Sequence, residues 1–213
     1  MSNLMPSKKI CAVCGKEHIF TVVVSTSSFG SMDLDTRPPK MKRDTLKYEI
    51  QICDQCLYSN SDIETLFPNF DAEMLKTPEY IEVANNPEID TTAKAFFLAG
   101  LLQAYHENYR EAGIYFLNAA WIFDDLNDHD LAVLARRQSH EFLSMFVEET
   151  EDINLAVLTV DLQRRVGNFN DAIETAEQLI EYGVDEFLEK ILKLEIELSA
   201  NGDASCHNVG EVE

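Results

Sequence analysis

The sequence predicts a mainly α fold, in which a small β module at the N-terminus is followed by a bundle of antiparallel helical hairpins. Three observations lead to this prediction. Two Cys-x-x-Cys pairs, 38 residues apart, lie within the first 60 residues. Apolar residues recur with a helical period from residue 92 onward, whereas the residues before 60 form short alternating runs. Prolines at positions 68, 78 and 87 mark a connector between these regions.

These signals divide the chain of 213 residues into four parts. Residues 1–60 are expected to form the cysteine-containing β module with a long loop, and residues 61–91 a connector that contains one short helix. Residues 92–198 are expected to form the helical domain. The polar residues 199–213 are predicted to be a disordered tail.

Two strands are predicted in the β module. Residues 19–25 (IFTVVVS) are rich in β-branched side chains, and residues 47–53 (KYEIQIC) alternate polar and apolar side chains. We expect these two strands to pair antiparallel. The segment 26–46 between them is longer than a structureless loop in a compact domain should be, so it is expected to be functional or held in place by other contacts.

Capping residues and periodicity mark the helices. In the connector, Thr77 can cap a helix whose first residue is Pro78, and Pro87 ends it. Residues 92–106 and 110–125 are apolar almost all round, which is typical of helices at the centre of a bundle. Apolar stripes predict four further helices, which begin near residues 130, 153, 169 and 187.

Two short motifs suggest repeated helical hairpins. Residues 108–112 (NYREA) and 168–172 (NFNDA) share an aromatic residue, two polar residues and an alanine. The pattern resembles the tetratricopeptide consensus, in which an aromatic residue at the turn and small residues on the second helix let two helices approach closely. The motifs are 60 residues apart, which is not a multiple of the usual repeat length, so an irregular array is expected.

The two cysteine pairs, formed by Cys11 with Cys14 and by Cys53 with Cys56, are the strongest functional signal in the chain. Two thiolates at this spacing chelate one ion from a tight turn, and two such turns complete a tetrahedral site with four sulfur ligands. Zinc is the expected ion, and iron is the alternative because it also accepts four thiolates. A site closed by four thiolates leaves no position for a catalytic water, so a structural role is expected.

Other interpretations of the cysteines are less well supported. Structural disulfides are rare in the cytosol, and a redox-active pair belongs in a βαβ setting that the sequence lacks. Gly15 supplies the backbone freedom that the first turn needs, whereas Leu57 takes the corresponding place in the second turn. His18, Cys206 and His207 are expected to stand outside the metal site.

Charge is distributed unevenly along the chain. Residues 1–60 carry eight Lys or Arg and six Asp or Glu, a net charge of +2, against −21 for the whole chain. The remainder therefore carries −23 and should repel nucleic acid phosphates, which leaves nucleic acid binding by the slightly basic module as a minor alternative. With no secretory leader and no apolar stretch of membrane-spanning length, the chain is expected in the cytoplasm and not in a membrane.

The segment 29–43 (FGSMDLDTRPPKMKR) holds the candidate binding residues Asp33, Asp35, Arg37 and Arg43. In one interpretation the aspartates bond to loop amides and pair with the arginines, and the loop is structural. In the other, the arginines bind a carboxylate or phosphate, or the aspartates hold a hard cation. The strands that carry the cysteine pairs are expected to display this loop at the surface.

The motifs CAVCG, FGSMDLDTRPP and MKRDT, the second Cys-x-x-Cys pair, and then AFFLAG and NAAWIFDD together resemble a bacterial family catalogued as a domain of unknown function. The resemblance implies a zinc-ribbon or rubredoxin-like head joined to a tetratricopeptide-like helical body. For the metal it implies the four cysteines. For the signature loop it implies Gly30, Asp33, Leu34, Asp35, Arg37, Pro38 and Arg43. It implies an architecture and no reaction.

The sequence therefore favours a zinc-stabilised protein-interaction or scaffold protein over an enzyme. Stacked helix pairs build extended concave surfaces, so the body is expected to offer a groove for a protein partner and the loop a second contact. His106, His129 and His140 of the helices are expected to be half-buried polar residues and not parts of a nucleophilic site. The alternative is an enzyme or small-ligand-binding protein whose site uses Asp33, Asp35, Arg37 and Arg43.

Overall fold

The computed structural model describes residues 2–212. Most of its long helices begin at a residue whose side chain accepts a hydrogen bond from the first helical turn. Thr77 accepts a hydrogen bond from the first turn of the connector helix, as the sequence predicts. Carboxylates accept such bonds at four later helices, where the caps are Asp90, Asp128, Asp152 and Asp185.

The described residues form four strands and eight α-helices. The strands are β1 (Asn3–Ile10), β2 (Glu17–Ser25), β3 (Gln51–Ile52) and β4 (Ser59–Asn60). The helices are α1 (Lys40–Arg43), α2 (Pro78–Asn85), α3 (Thr91–Tyr105), α4 (Tyr109–Asp125), α5 (His129–Thr150), α6 (Ile153–Arg165), α7 (Phe169–Tyr182) and α8 (Glu186–Ala200). The predicted mainly α architecture with a small N-terminal β module is confirmed. None of the helices in the described range is both long enough and apolar enough to cross a lipid bilayer.

Each cysteine pair closes its own hairpin. β1 pairs antiparallel with β2 on either side of the first pair, and β3 with β4 on either side of the second. The prediction that residues 19–25 pair with residues 47–53 is therefore wrong. β1 supplies the partner strand in spite of Pro6 and two lysines, because a strand at the edge of a sheet and exposed to water tolerates both.

Three inter-helix turns of the body share one conformation. The α3–α4, α4–α5 and α6–α7 connections each contain one residue at positive φ, namely Glu107 (57°), Asn127 (59°) and Gly167 (84°). Four positions after the Asn or Asp that follows, each second helix carries an alanine no more than 1% exposed: Ala112, Ala132 and Ala172. The body is therefore built from antiparallel hairpins, as predicted. The turn before α5 does not match the two sequence motifs, because it has no Tyr or Phe at the corresponding position.

Residues 33–50 lie along the helical body and belong to its core. Ile50 belongs to an apolar cluster with residues of α3, α4 and α5. Leu46 belongs to one with residues of α4, α5 and α6, and Leu34 to one with residues of α6, α7 and α8. The loop is therefore not displayed away from the body, contrary to the expectation. These three apolar residues instead enter three neighbouring apolar clusters of the helical body.

The C-terminal residues pack against this segment. The backbone N–H of Leu34 donates to the carbonyl oxygen of His207, and that of Val209 donates to the carbonyl oxygen of Met32, both at 2.9 Å. The prediction of a disordered tail over residues 199–213 is wrong for the part of it that the structure describes. Composition suggested disorder, but the backbone groups of the tail find partners in the loop.

The β module shares its core with the connector and the body. Tyr80 of α2 and Leu98 of α3 belong to the same apolar cluster as the cysteines. The hydroxyl of Tyr80 donates to the carbonyl oxygen of Leu57 at 2.7 Å, and that of Ser59 donates to the carbonyl oxygen of Ala95 at 2.7 Å. The module is thus continuous with the helices.

Candidate metal centre and charged loop

The two turns that carry the cysteines have the same backbone geometry. In each, the N–H of the first cysteine donates to the carbonyl five residues later, and the residue after the second cysteine donates to the first cysteine's carbonyl, at 2.8 to 2.9 Å. That residue has positive φ in both turns: Gly15 at 75° and Leu57 at 63°. The left-handed conformation costs a leucine roughly 1 kcal/mol, and the packing of Leu57 in the module core offsets this cost.

The structure brings the four cysteines together. Their sulfur atoms all lie within 4.8 Å of one another, with 3.6 Å between Cys11 and Cys56 and 3.5 Å between Cys14 and Cys53. Four sulfurs placed about 2.3 Å from a central ion form a tetrahedron with edges of about 3.8 Å. The distances between the sulfur atoms far exceed the roughly 2 Å of a disulfide bond. The cluster therefore has the composition and the spacing to hold one zinc or iron ion.

His18 lies against the cluster, contrary to the expectation that it stands apart. Its Nε2 is 3.3 Å from the sulfur of Cys53, and its side chain is only 10% exposed. A protonated ring nitrogen can donate a hydrogen bond to a thiolate and orient it. The alternation of β2 could have revealed this position, because His18 lies on the same strand face as the half-buried Phe20.

The four thiols do not ionise equally. Burial raises the pKa of Cys56 and of Cys11 above the usual range. Burial also acts on Cys53, but backbone N–H groups and His18 outweigh it and lower the pKa of that thiol. Cys53 is therefore prepared to bind a cation as a thiolate.

Asp35 has no exposed surface, and its carboxylate lies inside the helical body. Its Oδ2 accepts hydrogen bonds from the indole Nε1 of Trp121 at 3.0 Å and from Nη2 of Arg136 at 3.2 Å. Its Oδ1 accepts from the backbone N–H of Arg37 at 3.1 Å. Nη1 of Arg165 lies 3.6 Å from Oδ2. The loop therefore inserts a negative charge between α4, α5 and α6.

Opposing effects act on the protonation of Asp35. Burial raises its pKa, and Asp161 adds to the rise, while Arg136 and Arg165 oppose it. Because every group that points at this carboxyl is a donor, we assign it the ionised form, which only accepts. Asp124 lies beside it: burial disfavours its charge, but Arg136 outweighs burial and lowers the pKa of Asp124.

Arg37 and Arg43 are also engaged. Nε of Arg37 donates to Asp33 at 2.6 Å, its Nη1 to Asp125 at 3.4 Å, and its Nη2 to the sulfur of Cys206 at 3.4 Å. Nη1 of Arg43 donates to the same Asp125 at 3.4 Å. All four predicted binding residues are therefore held by neighbours, and Cys206 lies in this cluster rather than at the metal centre.

The turn between Asp33 and Arg37 is strained. Thr36 has a φ of 66°, which a β-branched residue rarely adopts. The N–H of Asp33 donates to the carbonyl oxygen of Arg37 at 3.0 Å, which closes the turn. Strain of this kind persists only where the surroundings hold it, and the contacts of Asp35 and Arg37 with the helices do so.

The sequence reasoning missed the residues that complete this cluster. They are Trp121, Asp124, Asp125, Arg136 and Arg165. With the loop residues they bring together four arginines and four aspartates, so the formal charge is zero. The sequence signal that could have identified them is a charged residue on a helix with many apolar residues. Beside the cluster lies a cleft of ≈ 340 Å³, lined by Arg37, Arg165 and Cys206 among others.

A second buried ion cluster joins α6 to α8 and to the tail. Arg164, which has no exposed surface, donates to Asp161 and to Glu195 at 2.6 Å each. Its Nη1 donates to the carbonyl oxygens of Asp203 and Ser205 at 2.8 Å. Burial raises the pKa of Glu195 to about 8, and Asp161 adds to the rise. One guanidinium thus serves two carboxyl groups, of which Glu195 holds a proton at neutral pH.

Together the fold and the cysteine cluster define a class of protein that joins a zinc-ribbon-like head, able to hold a metal ion, to a body of helical hairpins. The chain belongs to the bacterial family described as "Uncharacterized protein conserved in bacteria (DUF2225)", whose model matches residues 4–196. The resemblance seen in the motifs is confirmed. Neither the curated proteins nor the solved structures contain a significant match to the chain.

Replacement of one cluster cysteine tests the metal centre. We expect about one zinc or iron ion per chain of wild-type protein by elemental analysis, and almost none in Cys53→Ser, since three thiolates bind far more weakly than four. The melting temperature should fall while most of the helical circular dichroism remains. Cys206→Ser is the control and should keep its metal. Metal retained by Cys53→Ser would contradict the assignment.

Neutralisation of Asp35 tests the charged loop. Asp35→Asn keeps the shape of the side chain but removes one of the two carboxylates that pair with Arg136. It also places an amide donor among groups that are themselves donors. The substitution should therefore lower the free energy of unfolding by about 3 kcal/mol. Asp125→Asn, at a side chain that is 44% exposed, should cost less than about 1 kcal/mol. Urea denaturation compares the two. Equal effects would show that the burial of Asp35 has no special importance.

Glu195 should make stability depend on pH. Its folded pKa of about 8 lies above the unfolded value of about 4.3, so the fold favours the protonated form. The contribution of Glu195 to stability should be fully present below the unfolded pKa and fall by roughly 4 to 5 kcal/mol as pH rises to 8. Glu195→Gln should lack this loss, whereas Glu197→Gln, exposed on the same helix, should behave as wild type. Urea denaturation at pH 5 to 8 measures it, and parallel curves for wild type and Glu195→Gln would contradict it.

Proposed function

We propose that this chain is a zinc-stabilised protein-interaction or scaffold protein of the bacterial cytoplasm, without catalytic activity of its own. The observation that carries the proposal is the engagement of the charged loop, since Asp33, Asp35, Arg37 and Arg43 all pair with neighbouring residues. Carboxylates and guanidinium groups used in this way hold elements together and are not free to act on a substrate.

The proposed role of the metal is structural. Four thiolates fill the coordination sphere of a tetrahedral ion, and zinc is preferred to iron because it is the usual ion of such closed sites. The core around the cysteines extends to Tyr80 of α2 and Leu98 of α3. The ion would therefore stabilise the junction of head and body as well as the head.

Protein contacts are proposed for apolar side chains that remain outside the core. Phe29, at the beginning of the loop, is 73% exposed, and Tyr182, at the end of α7, is 75% exposed. Aromatic side chains contribute much of the binding energy when a partner covers them. Because the segment 33–50 lies on the hairpins, a partner would contact the body at surfaces that this segment leaves open, and the loop at its first residues.

The cleft of ≈ 340 Å³ favours a second candidate, the binding of a small polar ligand. Arg37, Arg165, Asp124 and Asp125 line it, so a ligand that carries both signs of charge would match the lining. Within the described residues, Nε of Arg165 has no hydrogen-bond partner. A higher melting temperature in the presence of an amino acid, absent in Arg165→Gln, would favour this candidate over the scaffold.

Affinity purification of the tagged whole chain from its bacterial host, after mild crosslinking, tests the scaffold proposal. We expect at least one protein to co-purify in a fixed ratio with wild type. It should be lost with Cys53→Ser, because the junction of head and body depends on the metal, and kept with Cys206→Ser. A chain that is recovered alone, with nothing enriched over a control that carries only the tag, would contradict the proposal.

A further inference from the structure

An apolar notch lies at the corner where α5, α6 and α7 meet. Its walls are Val147, Ile153, Ala156, Leu179 and Tyr182, and its volume is ≈ 230 Å³. Pockets for whole small molecules usually measure roughly 300–1,000 Å³, so the notch suits an apolar side chain better than a metabolite. Neither the loop nor the tail contributes to its lining.

The rim of the notch is acidic. Glu148 and Glu151 lie at its rim. Between positions 138 and 189 the only Lys or Arg residues are Arg164 and Arg165, and both are bound in the ion clusters of the interior. The same stretch contains thirteen Asp and Glu, of which twelve are at least partly exposed. A partner that approaches the notch therefore meets two carboxylates at the rim, on a stretch of chain whose exposed charges are acidic.

The apolar notch and its acidic rim together select the occupant. An apolar anchor that enters a pocket supplies binding energy, and the charges around it supply orientation and a fast encounter. Lys or Arg on both sides of the anchor would complement this rim. A second copy of the chain is a poor occupant, because it would bring a net charge of −21 to the same surface.

We infer that the notch receives an apolar side chain from a basic amphipathic segment of a partner protein. This inference rests on the proposed interaction function, and it adds the place of the contact and the chemistry of the partner. Glu148 and Glu151 pair with the flanking cations. Tyr182 lies over the anchor and presents an aromatic face, which also attracts cations.

Photo-crosslinking in the living host tests the location. Benzoylphenylalanine is placed at Tyr182 of the whole chain, and at Tyr105 and Phe29 for comparison, which are 57% and 73% exposed. Mass spectrometry then identifies the crosslinked segment. We expect an adduct at position 182 whose partner segment carries a net positive charge and contains apolar residues.

Charge reversal tests the chemistry, with a synthetic peptide that copies the crosslinked segment. Glu148→Lys with Glu151→Lys should weaken binding by at least about tenfold in fluorescence anisotropy. The matched control is Glu174→Lys with Glu177→Lys, which makes the same change of charge on exposed positions of α7 outside the notch. It should weaken binding by less than about threefold.

The remaining outcomes separate this inference from the proposed function. An acidic or neutral segment at position 182, a second copy of this chain there, or equal effects of the two charge reversals would overturn the inference. Adducts at positions 105 or 29 without one at 182 would overturn it as well, while the interaction function stands. No adduct at any of the three positions would count against both.

Discussion

The carboxylate of Asp35, which has no contact with solvent, governs how the parts of this chain are joined. A charge in the interior is tolerated only when opposite charge and hydrogen-bond donors surround it. Arg136 of α5, Arg165 of α6 and Trp121 of α4 supply them, so one side chain ties the loop to three helices. The strained conformation of Thr36 follows from this requirement, because the turn must direct Asp35 inward.

The segments on both sides of this anchor become part of the body. Leu34 on one side and Leu46 and Ile50 on the other enter three successive cores, and β3, with the second cysteine pair after it, follows directly. The head is therefore positioned by the loop at one end and by Tyr80 of α2 at the other. Loss of the metal and loss of the buried carboxylate would therefore both weaken the contact between head and body.

The folded chain separates its charges in a way that the net value of −21 does not reveal. Arginines that could have balanced the surface are used inside, where they neutralise Asp35 and Asp124 in one cluster and Asp161 in the other. Most of the exposed charged residues of α5, and all of those of α7, are acidic. Such a surface repels anionic polymers and favours basic partners, so the interior ion pairs influence what the exterior can bind.

Cysteine spacing determined the candidate metal ligands from the sequence alone, because chelation by two thiolates of one turn is a local property. The cap at Thr77 and the hairpin motifs were equally local, and the structure agrees with them. The strand pairing was predicted wrongly although it is local, because Pro6 and two lysines in β1 do not form a typical strand pattern. The fate of the tail was predicted wrongly because it depends on contacts with the distant residues Met32 and Leu34. The inward direction of Asp35 also depends on distant residues, because its partners Trp121 and Arg136 lie 86 and 101 residues away in sequence. Only the tertiary structure could decide that the charged loop points inward, because the charges that stabilise it there meet only once the helices have packed.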